Sequence, residues 1–455
     1  MRHLPIRALA RGLGGALMGA ALLSTTPAQA DSGSDPIAKF ETGAAGAEAA
    51  LANKGIDVTG YYVGGYYANV SGGLKRTNVY FNDLAFGANL DLAKIASIPG
   101  ASIHFTIDAR FGGFPQGVND LTGSSVGFLG GTGPDNRARL NEFTYRQQLA
   151  GGMLSFLVGR TTLANFFATS DLFCYFSTSI CSNLTPLNWS ANSNEPFYPI
   201  AVWAGEVEVK PTPVTYFRVG ASESNPDQYN GGGFPWDQGW TTDHATGAFI
   251  PVEFGYSTEG GDSAAPGRYD IGFFRDTSRF GDARYNTAGG RLLLDGGMPA
   301  NDGGRSSIYI QAEQVLWHAG TGPAARKLWG FAGAMFDVSG HSTVQNFYQA
   351  GLLMLGTLPG RPKDSAGLLA TFYTFNARVT GATNDAIIAA GGSGHMSRTE
   401  TIMEANYGVD IGYNITVKPF IDLTLDPDQA LFDVAVPRPN VRYALAVGSN
   451  ISFGF

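Results

Sequence analysis

Apolar and polar positions alternate along most of this chain. In Val441 to Phe455 one set is Tyr443, Leu445, Val447, Ile451, Phe453 and Phe455. The other is Arg442, Asn450, Ser452 and Gly454, with small Ala444, Ala446 and Gly448 between. A period of two with one apolar and one polar or small face predicts a β-strand. The pattern recurs. Ile103, Phe105, Ile107, Ala109 and Phe111 oppose His104, Thr106, Asp108 and Arg110. Phe143 and Tyr145 oppose Glu142, Thr144, Arg146 and Gln148, and Trp203, Val207 and Val209 oppose Glu206, Glu208 and Lys210. Phe217 and Val219 oppose Arg218, and Val417, Ile421 and Leu423 oppose Lys418, Asp422 and Thr424. A half-buried soluble sheet alternates too. Here such strands keep recurring without the helices an α/β fold needs. A tilted strand of about 9–11 residues crosses a bilayer. With its apolar face to lipid and its polar face to a water-filled lumen, it is the unit of a transmembrane β-barrel.

Sixteen strands are read, at 56–69, 79–92, 101–111, 137–149, 152–160, 201–210, 213–222, 247–257, 267–277, 305–317, 327–338, 344–356, 365–378, 398–412, 415–426 and 440–455. Asn286–Asp295 is assigned to a loop, because bacterial single-chain barrels have even strand numbers. The links sort by length. Ala150-Gly151, Pro211-Thr212 and Tyr413-Asn414 are short and join even strands to odd ones. The long links 112–136, 161–200, 223–246, 278–304, 379–397 and 427–439 join odd to even. Short periplasmic turns and long outer loops give this sorting; only 339–343 breaks it. From Ile56 onward no further amphipathic helix is read.

Composition fits. Charged residues are 15% of the chain and the mean hydropathy is −0.04. No run of 18 apolar residues follows the N-terminus, which excludes ordinary transmembrane helices. Arg2, Arg7 and Arg11, the apolar run Leu13–Leu23 and the small-x-small site Ala28-Gln29-Ala30 predict a signal peptide over 1–30. Residues 31–55 then form an N-terminal periplasmic segment with a helix-compatible run from Ala44 to Asn53, and 56–455 the barrel domain. Losing three Arg and no acid takes the net charge from −8 to −11. An acidic protein has no electrostatic case for nucleic acid. Cys174 and Cys181 are the two cysteines, close together in a chain bound for an oxidising compartment, and a disulfide between them is expected.

The chain resembles the carbohydrate-selective porin family, OprB type. The resemblance is carried by KGIDVTGYYVGGYYANVSGGLKR (54–76), LDLAKIASIPGASIHF (90–105), RLNEFTYRQQLAGGMLSFLVGR (139–160), FFATSD (166–171), YQAGLLMLGTLPGRPKDSAGL (348–368) and RTETIMEANYGVDIGYNITVKPFIDLTLDP (398–427). The PGRP-K/D turn is the most specific piece. The closing Phe455 also resembles the end of outer-membrane porins. Two stretches depart: Gly43–Ala50 stands where a Trp-Gly-Gly segment is expected, and Asp426-Pro427-Asp428-Gln429 where the family has Asn-Pro-Gly-Gly. The resemblance implies a sixteen-stranded channel in the bacterial outer membrane, in contact with lipid and passing small sugars such as glucose. It leaves monomer and homotrimer both open. It also implies that the longest loop, 161–200, folds into the lumen.

That loop is rich in aromatics, and Phe167, Phe176 and Trp189 are the candidates for stacking on a sugar. Lumen-phase Asp108, Arg110, Glu142, Arg146, Glu206 and Arg218 cluster on the third to seventh strands and are the candidate selectivity residues. Charged groups serve sugar hydroxyls, and an aromatic face serves the apolar face of the ring. Gly123-Ser124-Ser125-Val126-Gly127 matches G-x-S-x-G, but in a Gly/Ser-rich loop rather than a strand–turn–helix elbow. His104, His244, His318, His341 and His395 show no ligand spacing, so no metal is expected, and no cofactor motif occurs. The reading is a non-enzymatic sugar channel. A general diffusion porin for small hydrophilic solutes is the alternative.

Overall fold

The computed structural model describes residues 46–112, 117–127, 136–178, 182–184, 191–237, 239–258, 265–321, 325–429 and 441–454. The expected signal peptide over 1–30, residues 31–45, Cys181, Trp189 and Phe455 lie outside them. Ala50–Phe455 form one compact unit, and of Met1–Ala49 the described residues 46–49 are helical.

In chain order the strands are β1 Ile56–Gly72, β2 Asn78–Asp91, β3 Ala101–Gly112, β4 Arg137–Leu149, β5 Leu154–Thr161, β6 Thr169–Ser170, β7 Ser182–Asn183, β8 Val202–Thr212, β9 Thr215–Ser224 and β10 Gly247–Ser257. Then come β11 Gly267–Asn286, β12 Pro299–Ala319, β13 Arg326–Asp337, β14 Val344–Leu355, β15 Ser365–Phe375, β16 Thr399–Asp410, β17 Ile415–Leu425 and β18 Tyr443–Gly454. All but the two-residue β6 and β7 form one closed barrel, each strand antiparallel to its neighbours in sequence. β18 closes it against β1, from Tyr61 opposite Gly454 to Gly72 opposite Ala444. That makes sixteen barrel strands, with β6 and β7 pairing inside the long loop.

The wall is apolar outside and polar inside. Phe217, Phe254, Ile271 and Ile310 lie side by side across β9–β12, all exposed, as a lipid-facing row must be. The opposite phase on the same strands carries Arg218, Glu253 and Tyr309, which face inward. Two glycines allow this inner face to close up. A Cβ on Gly272 would sit 2.1 Å from the Tyr309 ring, and one on Gly255 2.2 Å from the Tyr216 ring. Each tyrosine therefore lies flat over a glycine and delivers its hydroxyl to Glu253, at 2.8 Å from Tyr309 and 2.9 Å from Tyr216.

Two expectations are corrected. β11 and β12 run past the assigned ends at 277 and 305, to Asn286 and from Pro299. Asn286–Asp295 is still not a separate strand; it holds the hairpin turn and the short helix Leu292–Asp295. The strand expected at 365–378 stops at Phe375, and Ala377–Ala389 is a helix that the sequence reading missed. Asn376 caps it by accepting from the Arg378 amide at 2.9 Å. Ion pairs dock it on the hairpin. Arg284 bonds Asp385 at 2.9 and 3.2 Å, and Arg378 bonds Asp282 and Asp302 at 2.7 and 2.8 Å.

Candidate functional site

The loop between β5 and β8 folds into the barrel. Its apolar residues Leu163, Phe167, Phe173, Phe176, Leu184 and Ala191 form one buried cluster with Phe249, Phe274, Tyr309, Phe331, Phe347 and Tyr373 of the wall. Against β10–β15 the lumen is therefore filled. The loop's backbone is held there by acidic and basic side chains. Glu253 accepts from the Ala168 amide at 2.7 Å, and Glu404 from the Ser177 and Thr178 amides at 2.7 and 2.9 Å. Asp276 accepts from the Asn194 amide at 2.6 Å, and Lys418 donates to the Tyr175 carbonyl at 2.8 Å. Arg218 donates to the Phe166 carbonyl. Charge-assisted bonds of this kind are about twice as strong as neutral ones.

Within the loop, buried Glu195 accepts from Leu163 N at 2.6 Å, Thr162 Oγ1 at 3.0 Å and Ser222 Oγ at 2.5 Å. Burial outweighs these bonds and raises its carboxyl to about 7.

On the other side the loop meets the polar inner wall of β1–β4 and, at its flank, β8–β10; this polar boundary is termed the slot. Two groups bound it. In the first, Arg110 Nε donates to Asp83 at 2.9 Å and lies 3.8 Å from Asp108, with its guanidinium 5.2 Å from the Tyr198 ring. Tyr198 of the loop donates to Asp108 Oδ2 at 2.6 Å, and the Tyr61 hydroxyl donates to that of Tyr198 at 2.5 Å. Burial first, then Tyr61, Asp108 and Asp83, pushes the Tyr198 phenol well above its ordinary range. In the second, Arg218 lies 3.0 Å from Glu206, 2.5 Å from Glu208 and 3.5 Å from Glu253. Arg146 stands differently. Among the described residues its ion pair is with Glu206, 3.7 Å long; its side chain is 25% exposed, and it lies 5.6 Å from the Phe166 ring. It is a loosely paired guanidinium over a partly exposed aromatic ring.

A closed barrel with an inserted loop and a slot of opposed charges is a channel. The family described as "Carbohydrate-selective porin, OprB family" matches residues 75–455. Porin B of Pseudomonas aeruginosa is 30% identical over 329 residues, covering 70% of each chain. This chain belongs to the carbohydrate-selective porin family. Among solved structures, Pseudomonas putida OprB at high pH superposes with a TM-score of 0.78 at 26% identity, over 90% of this chain and 97% of that one. The low-pH structure of the same protein, at 20% identity and a TM-score of 0.54, covers 90% and 96% and shows the shared fold. The porin is thus an integral outer-membrane sugar channel.

The six charged candidates lie on β3, β4, β8 and β9 in two structural roles. Arg110, Glu142, Arg146 and Arg218 are partly exposed toward the lumen. Asp108 and Glu206 are buried behind them, 1% and 4% exposed, and hold the arginines. Phe167 and Phe176 are corrected. They are 0% and 4% exposed, packed in the cluster behind the loop, and offer no face to a solute. The ring toward the slot is that of Phe166. The sequence reading missed Tyr61, Asp83, Phe166 and Tyr198. Asp83 and Tyr61 were visible as lumen-phase positions, but nothing local tied them to Tyr198, 137 residues beyond Tyr61.

The remaining motifs are structural. Ser124 of the G-x-S-x-G stretch donates to Glu400 at 2.6 Å, and the Ser125 amide donates to Asp428 at 2.8 Å. The departure Asp426–Gln429 thus clasps the β3–β4 loop. In the PGRP-K/D turn, Arg361 pairs with Asp364 at 2.5 and 2.8 Å and donates to the Asp410 carbonyl at 2.9 Å. Arg361 holds the Asp364 carboxyl below its ordinary value.

Proposed function

We propose that this porin passes neutral monosaccharides such as glucose by passive diffusion, without catalysis, and selects them in the slot between β1–β5 and the inserted loop. The observation that carries this is Arg146 over Phe166, with its guanidinium only loosely paired to Glu206. A sugar laid there meets donors for its hydroxyls and an aromatic face for its ring. Glu142 adds an acceptor nearby. Opposed charges partly cancel toward a simple ion, and each contact, worth about 1 kcal/mol net, is weak enough to release the sugar. Cleavage of residues 1–30 and a Cys174–Cys181 disulfide belong to the same reading; Cys174 is not a free thiol, which supports the second. The test is sugar block of single-channel current in planar bilayers. Glucose should reduce the current through the wild type and much less through Arg146→Ala. If glucose blocks neither, the protein is a general diffusion porin.

A further inference from the structure

The loop's two limbs are held unequally. The outgoing limb is bonded to β10 at Ala168 and to β16 at Ser177 and Thr178. The returning limb is bonded to β14 through Asn192, which donates to the Val344 carbonyl at 3.0 Å, and to β11 through Asn194. All of these lie away from β1–β5. After Asn194 the chain crosses toward β3 and regains the wall at Ala201, whose carbonyl accepts from Arg160. On the crossing piece stands Tyr198. Its hydroxyl donates to buried Asp108 of β3 and accepts from Tyr61 of β1, and Arg110 lies over its ring. Asp108 is itself held beside Arg110 at 3.8 Å, so it presents an acceptor fixed in place.

We propose that Tyr198 is a positioning residue that sets the width of the passage. Its hydroxyl ties the crossing piece to β3 and β1, and this tie fixes how large a solute can pass. The proposal rests on the reading of the slot as the sugar path, but its first readout does not depend on sugar recognition. Nearer its root the crossing piece stays pinned, Glu195 by Ser222 of β9 and the Pro196 carbonyl by Thr162. The barrel's strand ladder includes no bond of Tyr198, so cutting the tie releases the Tyr198 end from β3 and β1 without opening the wall.

The experiment uses the full-length porin in liposomes and planar bilayers, as Tyr198→Phe, Asp108→Asn and the double variant, with folding read by heat-modifiable mobility. Should Asp108→Asn fail to fold, Tyr61→Phe takes its place in the cycle. Neutral polyethylene glycols of graded size report the cut-off. Tyr198→Phe is expected to admit polymers that the wild type excludes, to raise single-channel conductance and to weaken glucose block. The double variant should be no more permissive than the more permissive single one, because both changes act on one bond: the first removes its donor and the second replaces its carboxylate acceptor by a weaker amide oxygen. An unchanged cut-off in Tyr198→Phe overturns the proposal, as do effects that simply add in the double variant. A wild type that glucose fails to block, with the cut-off still shifted in Tyr198→Phe, refutes the sugar reading and leaves the tie standing.

Discussion

The two faces of the inserted loop are built on different principles. Behind it, toward β10–β15, apolar side chains interlock and carboxylates grip backbone amides. In front, toward β1–β5, the loop meets the wall through a few side chains, Tyr198 to Asp108 and Phe166 to Arg146. The back face uses the backbone, so it holds the loop in place whatever side chains the front presents. The front face keeps Arg110, Arg146 and Glu142 partly exposed. On the proposed reading, holding the loop and sorting solutes fall to different residues. A channel must bind weakly to conduct, and a rigid loop with loosely engaged front side chains meets that need.

The comparison breaks first at the back. Phe167 is fully buried in the cluster, and Arg218 lies 5.9 Å from its ring. Phe167→Ala should cost about 3–5 kcal/mol of loop anchoring through the cavity it leaves. Its conductance should become noisy and larger, with sugar block lost. A quiet wild-type channel in this variant would show that the apolar cluster does not hold the loop.

Glu195 tests the same face by pH. Its carboxyl, raised from 4.5 to about 7 by burial, binds a proton more tightly in the folded loop than in the unfolded chain. Its contribution is therefore most favourable below about 4.5, falls as pH rises to about 7, and is flat above. At ~1.4 kcal/mol per unit the loss is on the order of 3 kcal/mol at most. Thermal melts from pH 5 to 8 should show this decline in the wild type and a shallower one in Glu195→Gln. Equal slopes would remove Glu195 from the account.

At the front, the effect should be on solutes and not on folding. Arg146→Ala removes a charged donor worth about 1.5 kcal/mol, roughly a tenfold loss in glucose-block affinity. The melting temperature should stay put, because the Arg146 pair to Glu206 is long and partly solvated. A lower melting temperature with unchanged block would reverse the division between the faces.

How much of this was legible follows from the solvent. Inside the bilayer, lipid forces one face of each strand to be apolar, so Ile103–Phe111 or Phe217 and Val219 announce themselves. Above the bilayer that demand ends. β11 continues through Arg275, Asp276, Arg279, Asp282 and Arg284, polar on both faces, and the period-two signal vanishes while the strand goes on. The helix Ala377–Ala389 hid for a related reason. Its buried face mixes Val379 and Ile387 with Thr380, Gly381, Thr383 and Asp385, the last meeting Arg284, so no continuous apolar stripe marks it. In the slot, the lumen-phase charges could be read strand by strand. Their partners on the loop could not, since Tyr198 reaches Asp108 across 90 residues of chain. Likewise an aromatic-rich loop does not say which ring faces water: Phe166 and Phe167 are neighbours, and only one does.

The smallest effect is expected at the most family-specific stretch, and it sharpens the comparison by standing outside both faces. Arg361 and Asp364 of the PGRP-K/D turn pair with one another at the short-turn end of the barrel, and Asp364 also accepts from Tyr407 at 3.0 Å and from the Asp410 amide at 3.0 Å. The turn therefore fastens β14–β15 to β16, and it touches no residue of the slot. Arg361 holds the Asp364 carboxyl below its ordinary 3.8. A depressed carboxyl contributes stability that is present above about 3.8 and is lost as pH falls further. Asp364→Asn should thus lower the melting temperature slightly at pH 7, with the gap to wild type closing in strong acid. Glucose block and the polymer cut-off should be unchanged throughout. Were block to change, the turn would be coupled to the slot. If it does not, the stretch that best marks the family serves the barrel's construction and not the sorting of solutes.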